Sequence, residues 1–548
     1  MGDVANIDDA RRQLTEVATG QNTVELRAGE SPQTLKQIRE ILAERAEDLS
    51  LMVFGRALVR PFVVQQRGFR GETVESLEVS RVSIRALAAD LESVAQFARW
   101  SKPRREGGTS RLTVCDCPTA LAQLFLETPE GWGRMPRVNR ICETPLLRDG
   151  RLIAQRGYSA ESAAWLHAPP NVRLREPLTF ETAEACLTRI RAWVAEFPFA
   201  DRSTASDNEQ MSLNESVAIC ALMTAAMRAS LPAAPGFLID KPSYGAGATT
   251  LAKLIHVVLT GRPPAVMNVQ SAEEEEELRK QLDAAQLAGR ACVMLDNVRD
   301  GATLMSTALA QLISEPSRLV RLLGQSKDDE VACSQLVLVT GINCTVANDL
   351  VRRFLRCQLA ATQERPQERT FTRPLLIEEA QAQRAEILSD LFTIVAAYAA
   401  RKERAKVTPL AGFQTWSQLC AEPLVWLKFP DPVTSSRSLE TEDPVTTTLR
   451  AVIANWRDAF GNSPVTVRQI IAGFPLKEGG DRSTRDAAAR LREIFAEICA
   501  ARDGTPNPSR VGTWLRRIRG RLVDTTAIHR AQDDSHNKVG CWMLRSLP

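Results

Sequence analysis

Apolar residues recur at helical spacing over residues 32–49, where Leu35, Ile38, Ile41 and Leu42 share one face. The next stretch, LMVFGRALVRPFVV, has the aliphatic and aromatic density of strands, so the chain is predicted to begin as a helix packed on a small sheet. VSRVSIRALAADLESVAQFARW predicts a second helix, and the polar KPRREGGTS at 102–110 a linker or exposed loop. Short strand-like runs and turn signals such as RDGR fill 111–195, along with the amphipathic FETAEACLTRIRAWVAEF. From about 210 the order becomes helix, strand, glycine loop, helix, and after about 366 the chain turns helical again. The Pro-, Ser- and Thr-rich FPDPVTSSRSLETEDPVTTT reads as a lead into a separate C-terminal domain.

Composition narrows this picture only a little. The 548 residues suit three to four domains of about 150 residues each. With 44% hydrophobic and 25% charged residues, disordered and membrane-embedded classes are excluded. Lys and Arg total 69 against 66 acids, so a nucleic-acid surface requires local clustering. Twelve cysteines, scattered singly except for Cys115 and Cys117, predict reduced structural thiols in the cytoplasm; Cys115, Cys117, Cys142 and His167 match no common zinc spacing. No signal peptide, lipid anchor or membrane span is predicted. The EEEEE run at 273–277 reads as a solvated helix face.

The segment GFLIDKPSYGAGATTLAKLIHVVL carries the first candidate chemistry. It predicts a buried strand, a turn holding Pro242, Gly245 and Gly247, and a helix beginning near Thr249. Glycines let backbone N–H groups wrap a phosphate, the helix N-terminus adds its dipole, and a hydroxyl there holds Mg²⁺. Gly245, Ala246, Gly247, Ala248, Thr249 and Thr250 are therefore the candidate ATP-binding residues. The usual signature has Lys where this chain has Ala248, which predicts impaired hydrolysis. Lys241 precedes the loop and Lys253 lies a helical turn beyond Thr249, so neither reads as a well-placed replacement.

Downstream strands strengthen the reading. RACVMLDNVRDG predicts a buried strand that presents Asp296, with Asn297 beside it; Thr249 and Asp296 are the candidate Mg²⁺ ligands. Asn297 can orient a water but cannot take its proton, which leaves the general base open. SQLVLVTGIN ends at Thr340 and Asn343, where a polar side chain would sense the γ-phosphate. Arg352 and Arg353 follow, placed either to reach a neighbouring copy's nucleotide or simply to face solvent.

Loop, acid, sensor and arginines in this order resemble the AAA+ fold of ring-forming ATPases. The closer resemblance is to the helicase part of the primase–helicases of phages and integrated mobile elements, related to superfamily 3. ETPLLRDGRLIAQRGYSAES, EFPFADRSTASDNEQMSLNESVAICALMTAAMR, LDNVRDG, RLLGQS, VTGIN, NDLVRRF and ERPQERTF carry it, weakly over residues 25–65 and well over 140–372. In that family Asn after the acid is familiar. Ala248 departs from it, as a deliberate substitution or as a natural non-hydrolysing variant.

Residues 465–548 read as helix, helix, helix, hairpin, which is winged-helix order. Arg510, Arg516, Arg517, Arg519 and Arg521 form an acid-free basic cluster suited to DNA phosphates, with Trp514, Leu515 and Ile518 as the buried face. The expected architecture is multidomain α/β. It comprises an N-terminal α+β collar or docking domain (1–110), a linker α+β region (111–200), an AAA+ domain (201–372), a helical extension and linker (373–455) and a winged-helix domain (456–548). The resemblance implies a hexameric, DNA-dependent helicase using ATP and Mg²⁺. Single-stranded DNA would lie in the ring and duplex or fork DNA at the winged helix, and a separate primase is an expected partner. Residues 318–333 read as a DNA-touching loop using Arg318, Arg321 or Lys327. A non-hydrolysing initiator or scaffold is the alternative, and a DNA-binding AAA+ regulator or defence ATPase the third.

Overall fold

The structure is a computed structural model that describes residues 22–27, 29–67, 73–101, 111–148, 150–202, 211–264, 267–268, 275–322, 328–360, 372–472, 482–531 and 540–546. The polar break at 102–110 and Lys327 lie outside these residues. The chain divides into two compact units. One comprises Met1–Cys344 and Arg352–Ser435, and the other Thr345–Val351 and Ser436–Pro548.

The first unit opens with the strand Asn22–Leu26 and the helix Ser31–Arg45, which buries Leu35, Ile38, Ile41 and Leu42 as its spacing predicts. These pack with Leu87, Leu91, Phe97 and Phe125 in one apolar cluster. The expected second helix is shorter than its pattern suggests. Ile84–Val94 is helical, but Ala95–Ser101 switches to a strand that pairs in parallel with Asn22–Leu26. Burial of Phe97 against the first helix outweighs helical continuity there.

The core of this unit is a five-stranded parallel sheet. Its strands in chain order are β1 (Gly236–Lys241), β2 (Met267–Asn268), β3 (Cys292–Val298), β4 (Leu336–Ile342) and β5 (Phe354–Gln358). Their spatial order is β2-β3-β4-β1-β5, and every pairing is parallel. β1 and β4 are buried along their whole length, as strands covered on both faces must be. Helix α1 (Leu213–Met227) is buried from Asn214 onward and lacks a polar face, so it serves as interior scaffold. Ser212 caps its N-terminus by accepting from the Glu215 amide. Helix α2 (Ala248–Thr260) follows β1 directly and buries Leu251, Leu254, Ile255 and Val258.

The Pro-, Ser- and Thr-rich segment predicted as a lead-in is instead regular. Pro432–Ser435 is a 3-10 turn closing the first unit, and Ser436–Glu442 and Pro444–Phe460 are helices of the second. Asp443 accepts from the Val445 and Thr446 amides and Pro444 sits at the first helical position, so the loop-like composition is a helix start. In the second unit, Val467–Ala472, Arg482–Ile498 and Pro508–Ile518 are helices. An antiparallel sheet accompanies them in the order Val465–Thr466, Cys541–Ser546, Thr526–Arg530, Leu522–Val523. Val465–Thr466, predicted as helix, is a short strand pairing with Trp542 and Cys541. Trp456, Phe495, Val511, Leu515, Ile518 and Trp542 fill the core, with the Phe495 and Trp514 rings edge-on at 5.5 Å.

Candidate functional site

The loop between β1 and α2 turns on Gly245 and Gly247, with φ of 81° and 98°. At Gly247 a side chain would be strained by the backbone and would press on the Phe197 ring, 3.3 Å from an added Cβ. Gly247 is also the N-cap of α2 and offers no side-chain cap. The first amides of α2 therefore remain available to an anion. Ser243 Oγ is buried in the loop without a hydrogen-bond partner, which fits a site that gains acceptor oxygens from a phosphate. Ala246 and Ala248 are buried beneath the loop, while Thr250 is exposed.

β4 lies between β1 and β3, so the loop, the acid and the sensor strand all end at one edge of the sheet. Thr249 Oγ1 donates to Asp296 Oδ1 at 2.9 Å, and the Thr340 hydroxyl donates to the same oxygen. Asn297 has φ of 55°, its amide donates to Thr340 Oγ1 at 3.0 Å, and its Nδ2 lies 3.4 Å from Asp296 Oδ2. A register irregularity between Leu295 and Val298 accompanies this turn. Asn343 stands apart, since its Nδ2 faces Asp300 Oδ1 at 3.5 Å and its amide donates to Lys241 O at 3.0 Å. Thus the structure joins Thr249, Asp296, Asn297 and Thr340, and leaves Asn343 outside that network. Arg352, exposed, and Arg353, half-buried, end the 3-10 turn Asn348–Arg353 just before β5.

Among the described residues no group of three or more His, Cys, Asp or Glu side chains gathers as a metal site. A divalent ion here would rest on Thr249, on Asp296 and on phosphate oxygens, the sparse protein shell that suits Mg²⁺.

No known family matches the chain, and no curated protein does. Among solved structures it is similar to the apo C-terminal region of NrS-1, at 10% identity over 88% of this chain and 96% of that one, with a TM-score of 0.32. It is also similar to the SCCmec type IV Cch active helicase, at 10% identity over 75% and 82%, with a TM-score of 0.27. A third is JCV helicase bound to a thiazolopyridinyl-phenoxyphenyl acetamide, at 16% identity over 50% of this chain and 72% of that one, with a TM-score of 0.20.

One expectation about a polar residue changes. Strand Ser317–Arg321 pairs antiparallel with Asp328–Ala332, and strand alternation turns Arg318 inward. There it is buried in an ion pair with Asp283 and donates to Ala308 O, so it is not a DNA contact; Arg321 is exposed. In the glutamate run, Glu275 and Glu276 are exposed at the start of the helix Glu275–Leu287, as a solvated face predicts, and Glu275 also accepts from the Ala308 amide at 3.0 Å.

In the second unit, Arg510, Arg516, Arg517, Arg519 and Arg521 are all exposed on or just after Pro508–Ile518, while Trp514, Leu515 and Ile518 are buried. Asn507 caps the helix by accepting from the Ser509 and Arg510 amides. Arg510 donates to Ala500 O and Arg516 to Thr513 Oγ1. Among the described residues no acid pairs with any of the five.

Sequence spacing sets Lys241 aside and gives no sign of Ser243. Lys241 is buried at the end of β1, and its only local signal is a charged residue closing an apolar run.

Proposed function

We propose that this chain is a DNA-dependent ATPase of AAA+, superfamily 3-like type, assembling into a ring, with a hexamer as the expected state. In this reading it serves as a replicative helicase of a phage or integrated mobile element. The observation that supports it best is the meeting of Thr249, Asp296 and Thr340 beside a glycine loop that leaves its helix N-terminus uncapped.

The loop amides and the N-terminus of α2 bind the phosphates. Thr249 and Asp296 hold Mg²⁺, which supplies charge neutralisation at the β- and γ-phosphates when bound. Thr340 and the turn at Asn297 fix the Asp296 carboxylate, and Asn297 orients the attacking water. Asn343 senses the γ-phosphate, and Arg352 or Arg353 reaches the nucleotide of an adjacent copy. Three helices, Val467–Ala472, Arg482–Ile498 and Pro508–Ile518, followed by antiparallel strands support a winged helix whose five arginines meet DNA phosphates. The residue Ala248 leaves the loop one amine short and lowers turnover relative to a Lys-bearing loop.

The same alanine favours a second reading, a scaffold or initiator that binds nucleotide and DNA without hydrolysis. Light scattering after size exclusion, with ATP and single-stranded DNA, tests the ring. A chain that stays monomeric under all conditions contradicts it.

A further inference from the structure

Lys241 is the last residue of β1, with 5% of its surface exposed. Its apolar stem is packed away, and the ammonium at its tip carries three donors that call for acceptors. Among the described residues no carboxylate meets it. The adjacent Asp240 is committed to the opposite face of the sheet, where it takes Arg356 Nη2 at 2.6 Å and the Cys344 amide at 2.9 Å. Lys241 pairs with Ile342 and Ile239 pairs with Thr340, so Lys241 shares the face on which Thr340 meets Asp296. Its Nζ reaches toward the glycine loop and lies 6.0 Å from the Tyr244 ring centroid. That ring is 75% exposed and is a weak partner at this distance. In the same loop Ser243 Oγ is buried with no partner. A cation and a buried hydroxyl two residues apart, neither with an acceptor among the described residues, share one requirement, which is an anion in the loop.

We infer that Lys241 supplies, from the strand side, the phosphate-facing cation that Ala248 cannot supply from the helix side. This rests on the nucleotide-site reading above and deepens it. The terminal phosphates of a nucleoside triphosphate are the anion, and Ser243 donates beside the lysine. Lys241 then contributes to nucleotide affinity without being needed for the stability of the nucleotide-free chain. That pairing of effects separates it from a lysine kept only for packing.

The test uses the full chain carrying Lys241→Met, a neutral side chain of similar length, with Lys241→Arg as the charge-keeping control. Mg·ATP affinity is read by titration calorimetry, and the unfolding midpoint is read without nucleotide. Lys241→Met is expected to weaken Mg·ATP binding about tenfold or more while leaving the nucleotide-free midpoint unchanged or higher. Lys241→Arg is expected to keep most of the affinity. In an Ala248→Lys background the two amines overlap in role, and Lys241→Met should then cost about threefold or less, the non-additivity of groups that share a partner. Equal losses in both backgrounds, or parent-like affinity in the single variant, overturn the inference and leave the nucleotide site standing. A lowered midpoint assigns Lys241 to packing and also overturns it. A parent chain that fails to bind Mg·ATP at all overturns both this inference and the proposed function.

Discussion

The Thr249 hydroxyl meets the Asp296 carboxylate at 2.9 Å, across 47 residues of sequence. This contact ties the start of α2 to the end of β3, and the Thr340 hydroxyl on the same oxygen ties in β4. Asp296→Asn keeps the shape but removes the charge that would hold Mg²⁺. Phosphate release is expected to fall by about 10² to 10³, with ATP binding reduced far less.

Restoring the amine after the last loop glycine has the opposite sign. Ala248 is fully buried, so a lysine there must run beneath the loop toward the phosphates. Ala248→Lys is expected to raise turnover about tenfold or more, since one preorganised donor is worth that much or more in rate. Lys241 is assigned to nucleotide binding and not to turnover, so steady-state ATPase assays check the gain, and an unchanged rate means that Lys241 also suffices for hydrolysis or that the site does not hydrolyse.

Charge reversal at Arg516, Arg517 and Arg519 should weaken DNA binding and flatten its salt dependence. Every phosphate that a reversed arginine no longer neutralises takes about 0.7 to 0.9 off the log–log slope. All three are exposed and have no acidic partner among the described residues, so the folded core of that unit is untouched. A slope equal to the parent's would move DNA binding to another surface.

Burial of His256 holds its imidazole down at about 4, with the nearby Arg262 and Arg384 charges acting in the same direction and the Arg262 carbonyl against them. The folded value lies below the ordinary one, so the unfolded chain binds the extra proton between about pH 6.5 and 4. Stability therefore falls on acidification through that window, by at most about 1.4 kcal/mol per pH unit from this group. Glu143, which burial pushes up to about 7, acts with the opposite sign from about pH 4.5 to 7. Denaturant titrations of the parent and His256→Gln isolate the histidine: the difference between them should shrink as pH falls from 6.5 and level off below 4.

The strand ends are legible in the sequence because each is a local pattern, an apolar run that stops at Asp296, at Thr340 or at a glycine loop. What joins them is not, since the β2-β3-β4-β1-β5 order is set by long-range pairing. Lys241 reads as an ordinary residue at the end of a strand, because nothing local reveals that no acid meets it. Arg318 reads as exposed because a charged side chain ordinarily faces solvent, whereas alternation along its strand turns it toward Asp283. The Asp443-Pro444 pair has the composition of a loop, although the same two residues begin a helix well.

The central claim is a Mg·ATP site whose turnover responds to DNA. Its most direct measurement is phosphate release by the full chain with Mg²⁺, with and without single-stranded DNA, beside Asp296→Asn. The account expects slow turnover that DNA accelerates and that Asp296→Asn abolishes. Turnover unaffected by Asp296→Asn, or no Mg·ATP binding by the parent, would contradict it.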